Sequence, residues 1–273
     1  MWAARQGATE VHVLVDDDAA VLARRATCFR DAPHVWMIEG TTLRQAPPAP
    51  PAVAALAPAA PELAELLVDA GLEVVVESGI VRGEVNGLEV ARIVHDRTTT
   101  GAPLDQPIIE VGVGHADREL TAMLHGDLSP VGQLARVAEI VRSHRQADAG
   151  PHPLRHLAPE RWLRARLVAE PARLGLARLR SMAPAVPRPN LRDRAVAMAL
   201  GETAEGEEVV VACSVGVDVD LVPAAADARL SIAPEARLVL VVPERDAHPV
   251  TVELAARLAQ PAEIITVDDD WRR

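Results

Sequence analysis

The sequence predicts an α/β protein with two similar mixed-sheet α/β halves joined by an Arg-rich helical segment. Short apolar, β-branched runs alternate with segments whose apolar residues recur at helical spacing, which indicates strands interleaved with helices. Two stretches share this order: residues 71–76 read GLEVVV and residues 206–211 read GEEVVV, each followed by an acidic strand, an apolar strand and a helix. We therefore expect an internal duplication, with chance similarity between buried strands as the alternative.

Residues 1–45 are predicted to form a β-α-β arm. An apolar run at 11–15, a helical pattern at 19–29 and a second apolar run at 35–38 give that order. Residues 46–61 then alternate Ala and Pro with almost no charge, a composition typical of a semi-rigid linker. The linker is expected to separate the arm from the rest of the chain.

The first α/β half is predicted at 62–146. It opens with a helix that Gly71 ends, and strands lie on both sides of Asn86 and Gly87, the dipeptide that most strongly indicates a two-residue type I′ hairpin turn. A further strand is predicted at 108–113. Two helices complete the half, at 116–125 and after the capping pair Ser129 and Pro130.

An Arg-rich helical connector, 147–194, precedes the second α/β half at 195–273. Residues 155–194 hold ten arginines against three acidic residues, a net formal charge of +7 in a chain whose total is −11. The second half alternates apolar runs with helical patterns up to a last strand near 264–267.

The chain contains neither Lys nor Tyr, and all 28 of its Lys+Arg residues are Arg. The absence of a primary amine excludes a Walker A phosphate site, a kinase-type ATP lysine and Schiff-base catalysis. Missing Lys and Tyr together with abundant Ala, Arg, Pro and Val indicate the coding bias of a GC-rich genome. The chemistry that remains belongs to carboxylates, His, Cys and Arg.

Charge, cysteines and hydropathy predict a cytoplasmic protein that does not enter a membrane. The net charge of −11 opposes bulk attraction to nucleic acid or to an anionic membrane. Cys28 and Cys213 are far apart in sequence, so we expect two reduced core thiols. No apolar run approaches the ~20 residues of a membrane span.

Three glutamates are the candidate metal ligands and candidate catalytic residues. A two-residue turn at Asn86 and Gly87 places Glu84 opposite Glu89 on one side of the sheet, and Glu110 on the next strand can join them. Carboxylates that converge without cationic neighbours are the ligands that Mg²⁺ or Mn²⁺ prefers. The alternative is that these glutamates point into solvent, where screening weakens their repulsion.

The segment from 61 to 125 resembles the core of the PD-(D/E)XK nucleases. A helix, a three-stranded meander with an acid on its middle strand, an acid on the third strand and a second helix follow one another in that order. The positions that match the acids of the family are Glu65 on the helix, Glu84 or Glu89 on the hairpin and Glu110 on the third strand. The lysine of the motif falls at Gly112, and Arg92 is a poor substitute because its guanidinium stays protonated. The resemblance implies a divergent nuclease-like protein, weakly active or inactive.

Two loops after predicted strands are candidate ligand-binding loops. His115 and Asp117 follow one strand, and Asp246 and His248 follow another. Loops at the ends of strands often carry ligand-binding groups in α/β proteins. Helix capping is the alternative role for both aspartates.

The Arg-rich segment is the candidate polyanion-binding surface, represented by Arg161, Arg164, Arg166 and Arg173. If exposed, it would bind a nucleic acid or an acidic protein in a salt-dependent manner. Three functions follow as hypotheses: a nuclease-like protein, a non-catalytic interaction module whose Arg helices bind an acidic protein or the chain's own acidic sheet, and a small-ligand or nucleotide binder.

Overall fold

The computed structural model describes residues 6–53, 55–124, 129–185, 193 and 195–272. Within these residues the chain forms three β-sheets and seven α-helices, so the predicted α/β class is confirmed. None of the described helices combines the length and the apolar character that crossing a membrane requires.

The N-terminal sheet has three strands in the order β1-β2-β3. Its elements are β1 (His12–Val15), α1 (Ala19–Ala26), β2 (His34–Glu39) and β3 (Thr42–Gln45). β1 and β2 are parallel and connect through α1, whereas β3 forms an antiparallel hairpin with β2. The β-α-β order predicted from the sequence is present, and β3 is an additional strand beyond that prediction.

A buried ion pair joins this N-terminal unit to the C-terminal part of the chain. Both nitrogens on one edge of Arg24 donate to Asp227, Nε to Oδ1 at 2.6 Å and Nη2 to Oδ2 at 2.9 Å. The opposite side of the same guanidinium donates to the Pro50 carbonyl at 2.6 Å. The Arg24–Asp227 pair therefore holds the N-terminal unit against the C-terminal part of the chain, and the Pro50 contact binds the linker to the same arginine.

The middle sheet is an antiparallel meander in the order β4-β5-β6-β7. Its strands are β4 (Glu73–Glu77), β5 (Ile80–Val85), β6 (Leu88–Val94) and β7 (Ile108–Val111). One face packs against α2 (Pro61–Asp69) and α4 (Pro130–His144) through Leu67, Leu134 and Val141. Helix α3 (Gly114–Leu124) follows β7 directly. The opposite face of this sheet carries the charged residues described below.

The turn between β5 and β6 is the one expected from its sequence. Asn86 has a φ of 47° and Gly87 a φ of 72°, the positive values that a type I′ turn requires at both central residues. The tip of this turn lies against the backbone of Arg161 and Trp162. The hairpin is thus also a packing surface for a later helix.

The C-terminal sheet is mixed and has the strand order β12-β11-β10-β9-β8. The strands are β8 (Arg178–Met182), β9 (Ala197–Glu202), β10 (Glu208–Cys213), β11 (Arg237–Pro243) and β12 (Glu263–Val267). β10, β11 and β12 are parallel, whereas β9 is antiparallel to both of its neighbours. Helices α6 (Leu221–Ile232) and α7 (Pro249–Ala256) cover one face, and α5 (Pro159–Ala169) covers the other.

The expectation of two similar mixed-sheet halves is wrong for the middle sheet, which contains no parallel pair among its four strands. Short connections between β4, β5 and β6 allow only antiparallel neighbours, whereas α6 provides the long crossover that makes β10 and β11 parallel. The C-terminal sheet also begins earlier than predicted, because β8 lies inside the segment 147–194 that was assigned to the connector.

We predict that Gly87→Ala destabilises the protein by more than the conformational strain alone. A Cβ at this position would overlap the Arg161 carbonyl and lie 2.7 Å from the Trp162 nitrogen. Gly175→Ala is the matched control, because its φ is +67° and no atom lies within 4 Å of the added Cβ. The control should cost ~1 kcal/mol of unfolding free energy and Gly87→Ala distinctly more, measured by urea denaturation. Equal losses in the two variants would contradict the packing of the turn against α5.

Candidate functional site

The hairpin places the candidate glutamates as the sequence predicted. Glu84 pairs with Glu89 across β5 and β6, and Glu110 on β7 pairs with Arg92 on β6. The register of β5 and β6 shifts between the pairs Gly83–Ala91 and Glu84–Glu89, which leaves Val90 as an extra residue on β6. Because of this bulge in β6, Glu89 and Arg92 lie on the same side of the sheet although they are three residues apart. All three carboxylates therefore lie on one face of the middle sheet.

Glu84 has arginine partners from helix α5 on both of its oxygens. Arg161 Nη1 donates to Oε1 at 2.9 Å, and Arg164 Nη2 donates to Oε2 at 2.6 Å. The three side chains are almost completely buried, with exposed fractions of 1% for Glu84, 4% for Arg161 and 2% for Arg164. The expectation of carboxylates without cationic neighbours is therefore wrong for Glu84.

Glu89 is bound in the same way by two other arginines. Arg82 Nη1 donates to its Oε2 at 2.6 Å, and Arg118 Nη1, from α3, donates to its Oε1 at 3.1 Å. Glu84 and Glu89 face each other across the hairpin, and each guanidinium placed beside them offsets their repulsion.

Two further glutamates extend this arrangement across the sheet. Arg161 Nη2 reaches both oxygens of Glu77 at 2.7 and 2.6 Å. Arg92 Nε donates to Glu110 Oε2 at 3.0 Å, and the amide and hydroxyl of Thr99 also donate to the Glu110 carboxylate. We call these residues the Glu/Arg cluster: Glu77, Glu84, Glu89, Glu110, Arg82, Arg92, Arg118, Arg161 and Arg164. Its five arginines and four glutamates give a formal charge of +1.

The surroundings of Glu84 keep it ionised. Burial alone would raise the pKa of its carboxyl, but Arg164, Arg161 and Arg82 together hold that pKa below its ordinary 4.5. Burial acts in the opposite direction on a cation and lowers the pKa of Arg118. The cluster is thus a set of charged partners with little contact with water.

Helix α5 is buried on two sides, which explains where two of the predicted polyanion-binding residues lie. Trp162, Leu163 and Leu167 pack against the C-terminal sheet, whereas Arg161 and Arg164 point to the Glu/Arg cluster. The expectation that these two arginines are exposed is therefore wrong. The charges of these two arginines are matched by Glu77 and Glu84 on the middle sheet.

The other two candidate polyanion-binding residues lie nearer the surface but have an acidic partner. Arg166 Nη2 is 3.5 Å from Glu170 Oε1, and Arg173 Nε is 2.6 Å from Glu170 Oε2. Both arginines stay partly exposed, and the shared glutamate offsets part of their charge. The four predicted residues do not form one exposed basic surface.

Each of the four residues of the candidate ligand loops contacts a polar group of the chain. Asp117 accepts a hydrogen bond from the Val113 amide at 2.6 Å, and Asp246 accepts one from the Gly216 amide at 2.7 Å. His248 Nδ1 accepts from the Val250 amide at 3.2 Å and caps α7, and His115 Nδ1 is 3.5 Å from Glu119 Oε2. The two loops belong to different sheets. These contacts give each residue a structural role, local for His115, Asp117 and His248 and between two loops for Asp246.

The residues of the Glu/Arg cluster do not fit Mg²⁺ or Mn²⁺. Guanidinium groups occupy the positions beside the carboxylates that a cation would need. In the described part of the chain, no group of three or more His, Cys, Asp and Glu side chains is placed to hold a metal ion. Glu65, the remaining acid of the predicted set, is exposed on α2, which covers the opposite face of the sheet.

Arg145 is a buried residue near this site that the sequence analysis missed. Its Nη1 donates to the carbonyls of Leu154 at 3.0 Å and Leu157 at 2.6 Å, and its Nε donates to the Asn86 carbonyl at 3.1 Å. The guanidinium carbon lies 4.7 Å from the centroid of the Trp162 ring. Burial lowers the pKa of Arg145 to about 9. Arg145 therefore connects the hairpin turn to the segment that leads into α5 through its hydrogen bonds. The spacing of residues in the sequence does not predict this role.

Comparison of the chain with protein-family models, with curated proteins and with solved structures found no match.

We predict that Glu84→Gln lowers the unfolding free energy by ~3 kcal/mol or more. The substitution leaves Arg161 and Arg164 buried without a full counter-charge, which is among the costly changes a core can undergo. The control is Glu263→Gln, which removes a surface pair with Arg237 and should cost less than ~1 kcal/mol. Urea denaturation of both variants measures the difference. Stabilisation by Glu84→Gln would instead indicate repulsion between unpaired carboxylates.

The stability difference between wild type and Glu84→Gln should also depend on pH. Because the pKa of Glu84 is lower in the folded protein than its ordinary 4.5, the unfolded chain takes up a proton first as the pH falls. The contribution of Glu84 is fully present above that ordinary value and is lost as the pH falls through the folded-state pKa. The two proteins should therefore converge in acid, as followed by denaturation at a series of pH values. A difference that stays constant into acid would refute the assignment.

Proposed function

We propose that this chain is a non-catalytic binding protein with a nuclease-like order of elements. Its acidic strand positions hold the fold together instead of binding a catalytic cation. The observation that carries the proposal is the Glu/Arg cluster, in which every glutamate already has an arginine partner. Metal-dependent hydrolysis needs carboxylates that are free to bind a cation and to position a water molecule.

The position that matches the motif lysine supports this proposal independently. Gly112 has a φ of +140°, and a Cβ there would lie 2.9 Å from the Arg118 backbone nitrogen. A lysine side chain would therefore collide with the start of α3 in addition to straining the backbone. The site lacks the residue that would activate water, and it also lacks room for one.

A second run of elements in the C-terminal part follows the order that the resemblance implies. Helix α5, the antiparallel strands β8, β9 and β10, helix α6 and then β11 succeed one another along the chain. The middles of β9 and β10 carry only apolar residues and glycine, and the acids Glu202 and Glu208 face each other at the strand ends. This run supports a nuclease-like order of elements and offers no central carboxylate for hydrolysis.

The same geometry favours an internal partner for the Arg-rich helix. The side chains of Arg161 and Arg164 are used by the chain's own acidic sheet, so they are not free to contact the phosphates of a nucleic acid. A cytoplasmic location is part of the proposal, because Cys28 and Cys213 are both buried free thiols.

We predict that the purified protein does not cleave single- or double-stranded nucleic acid when Mg²⁺ or Mn²⁺ is added. Its melting temperature should be the same with either cation and with a chelator, because a ligand stabilises a fold only by binding it. Glu110→Gln, purified in the same way, is the control for contaminating nuclease. Metal-dependent cleavage by the wild type that Glu110→Gln abolishes would overturn the proposed function.

A further inference from the structure

A groove of about 1190 Å³ separates the middle sheet from the C-terminal sheet. Its sides are formed by β4 and β8, the outer strands of the two sheets, and by helix α6. The Ala/Pro segment, which we define as the described residues of 52–61, forms its remaining wall. Ligand sites in proteins usually have volumes of ~300–1,000 Å³, so the groove is somewhat larger than a usual site and has room for an extended ligand.

The groove exists because β4 and β8 lie side by side without forming a continuous sheet. β4 pairs only with β5, and β8 pairs only with β9. One contact between the two strands is the hydrogen bond from the Ser181 hydroxyl to Glu73. The Ala/Pro segment cannot extend either sheet fully, because proline has no backbone N–H to donate.

The walls of the groove are mainly apolar. Val76 on β4 is 44% exposed and lines the groove, as do Val74, Met182 and Ile232. Leu56 on the Ala/Pro segment is 92% exposed. An apolar occupant would remove this surface from water, which is favourable at ~25 cal/mol per Å².

One cation at the groove, Arg180, has no acidic partner among the residues that the structure describes. Arg180 on β8 lines the groove, and Nη1 of its guanidinium donates to Met182 Sδ at 2.8 Å. Among the described residues, no carboxylate lies within 4 Å of that guanidinium, whereas Arg178 on the same strand forms an ion pair with Glu202. In addition, the buried hydroxyl of Ser231 lines the groove without a hydrogen-bond partner.

We propose that this groove binds a long-chain carboxylate. The hydrocarbon chain lies between β4, β8 and the Ala/Pro segment, and the carboxylate forms an ion pair with Arg180. The groove is mainly apolar, and its lining holds one arginine, Arg180, and one carboxylate, Glu73, which accepts a hydrogen bond from Ser181. An anionic amphiphile therefore fits with its head group at Arg180 and its apolar chain along the rest of the groove. A nucleotide fits less well, since the lining contains no aromatic ring to stack on a base. The inference gives a ligand to the proposed non-catalytic binding protein and rests on that proposal.

Calorimetric titration of the delipidated full chain with hexadecanoate and with its methyl ester tests the proposal. Hexadecanoate should bind the wild type, and Arg180→Gln should weaken it about tenfold while leaving the uncharged ester unaffected. Arg178→Gln is the matched control, because that guanidinium is already paired with Glu202. Equal affinity of wild type and Arg180→Gln for hexadecanoate would overturn the carboxylate assignment.

A second pair of variants tests the apolar channel. Val76→Glu places a charge on the groove wall and should abolish binding of both ligands, whereas Val68→Glu, exposed on α2 outside the groove, should not change it. Circular dichroism checks that both variants fold. Binding that survives Val76→Glu, or that both variants lose equally, would overturn the groove as the site. Nuclease activity would contradict the proposed function without affecting these titrations, so the two failures are distinguishable.

Discussion

The position of helix α5 between two sheets is the constraint on which the rest of the structure depends. The helix gives its tryptophan and leucines to the C-terminal sheet and two arginines to the middle sheet. Buried charges are tolerated only when each has a partner, so the middle sheet must supply carboxylates at matching positions. Glu77 and Glu84 therefore form ion pairs that hold the helix, and their carboxylates are not free to bind a metal ion.

Local rules were sufficient to predict the hairpin and its facing glutamates. A dipeptide that tolerates positive φ fixed the turn, and the turn fixed the pairing of Glu84 with Glu89. The partners of these glutamates could not be found in the same way. Arg161 lies 77 positions from Glu84 along the chain, and no spacing rule states which helix will cover a given sheet face.

The default assumption that arginines are exposed failed for a physical reason. A cluster of like charges in sequence usually indicates a solvated face, because burying each charge is costly. Here the cost for Arg161 and Arg164 is offset by Glu77 and Glu84, which lie on two different strands and become neighbours only in the folded sheet. The polarised charge along the chain, +7 in one segment against an acidic remainder, was the one signal of internal pairing that the sequence carried.

The predicted internal duplication shows that a local sequence pattern can predict a strand without predicting the direction of its neighbours. The apolar runs GLEVVV and GEEVVV both became strands, β4 and β10, because burial of β-branched residues is a local preference. The relative direction of two neighbouring strands depends on the segment that connects them. A short turn gives an antiparallel pair and a crossover helix gives a parallel pair, so similar strand sequences can lie in different kinds of sheet. Similar segments therefore ended in an antiparallel meander and in a mixed sheet.

The Ala/Pro segment has a consequence for the behaviour of the chain at high concentration. Outer strands such as β4 and β8 present unpaired backbone groups, which can recruit another chain and start aggregation. A proline-rich segment beside both edges obstructs such recruitment, because it occupies the approach while offering few donors of its own. A segment whose composition indicates only a spacer thus shields one outer strand of each sheet, β4 and β8, from pairing with other molecules.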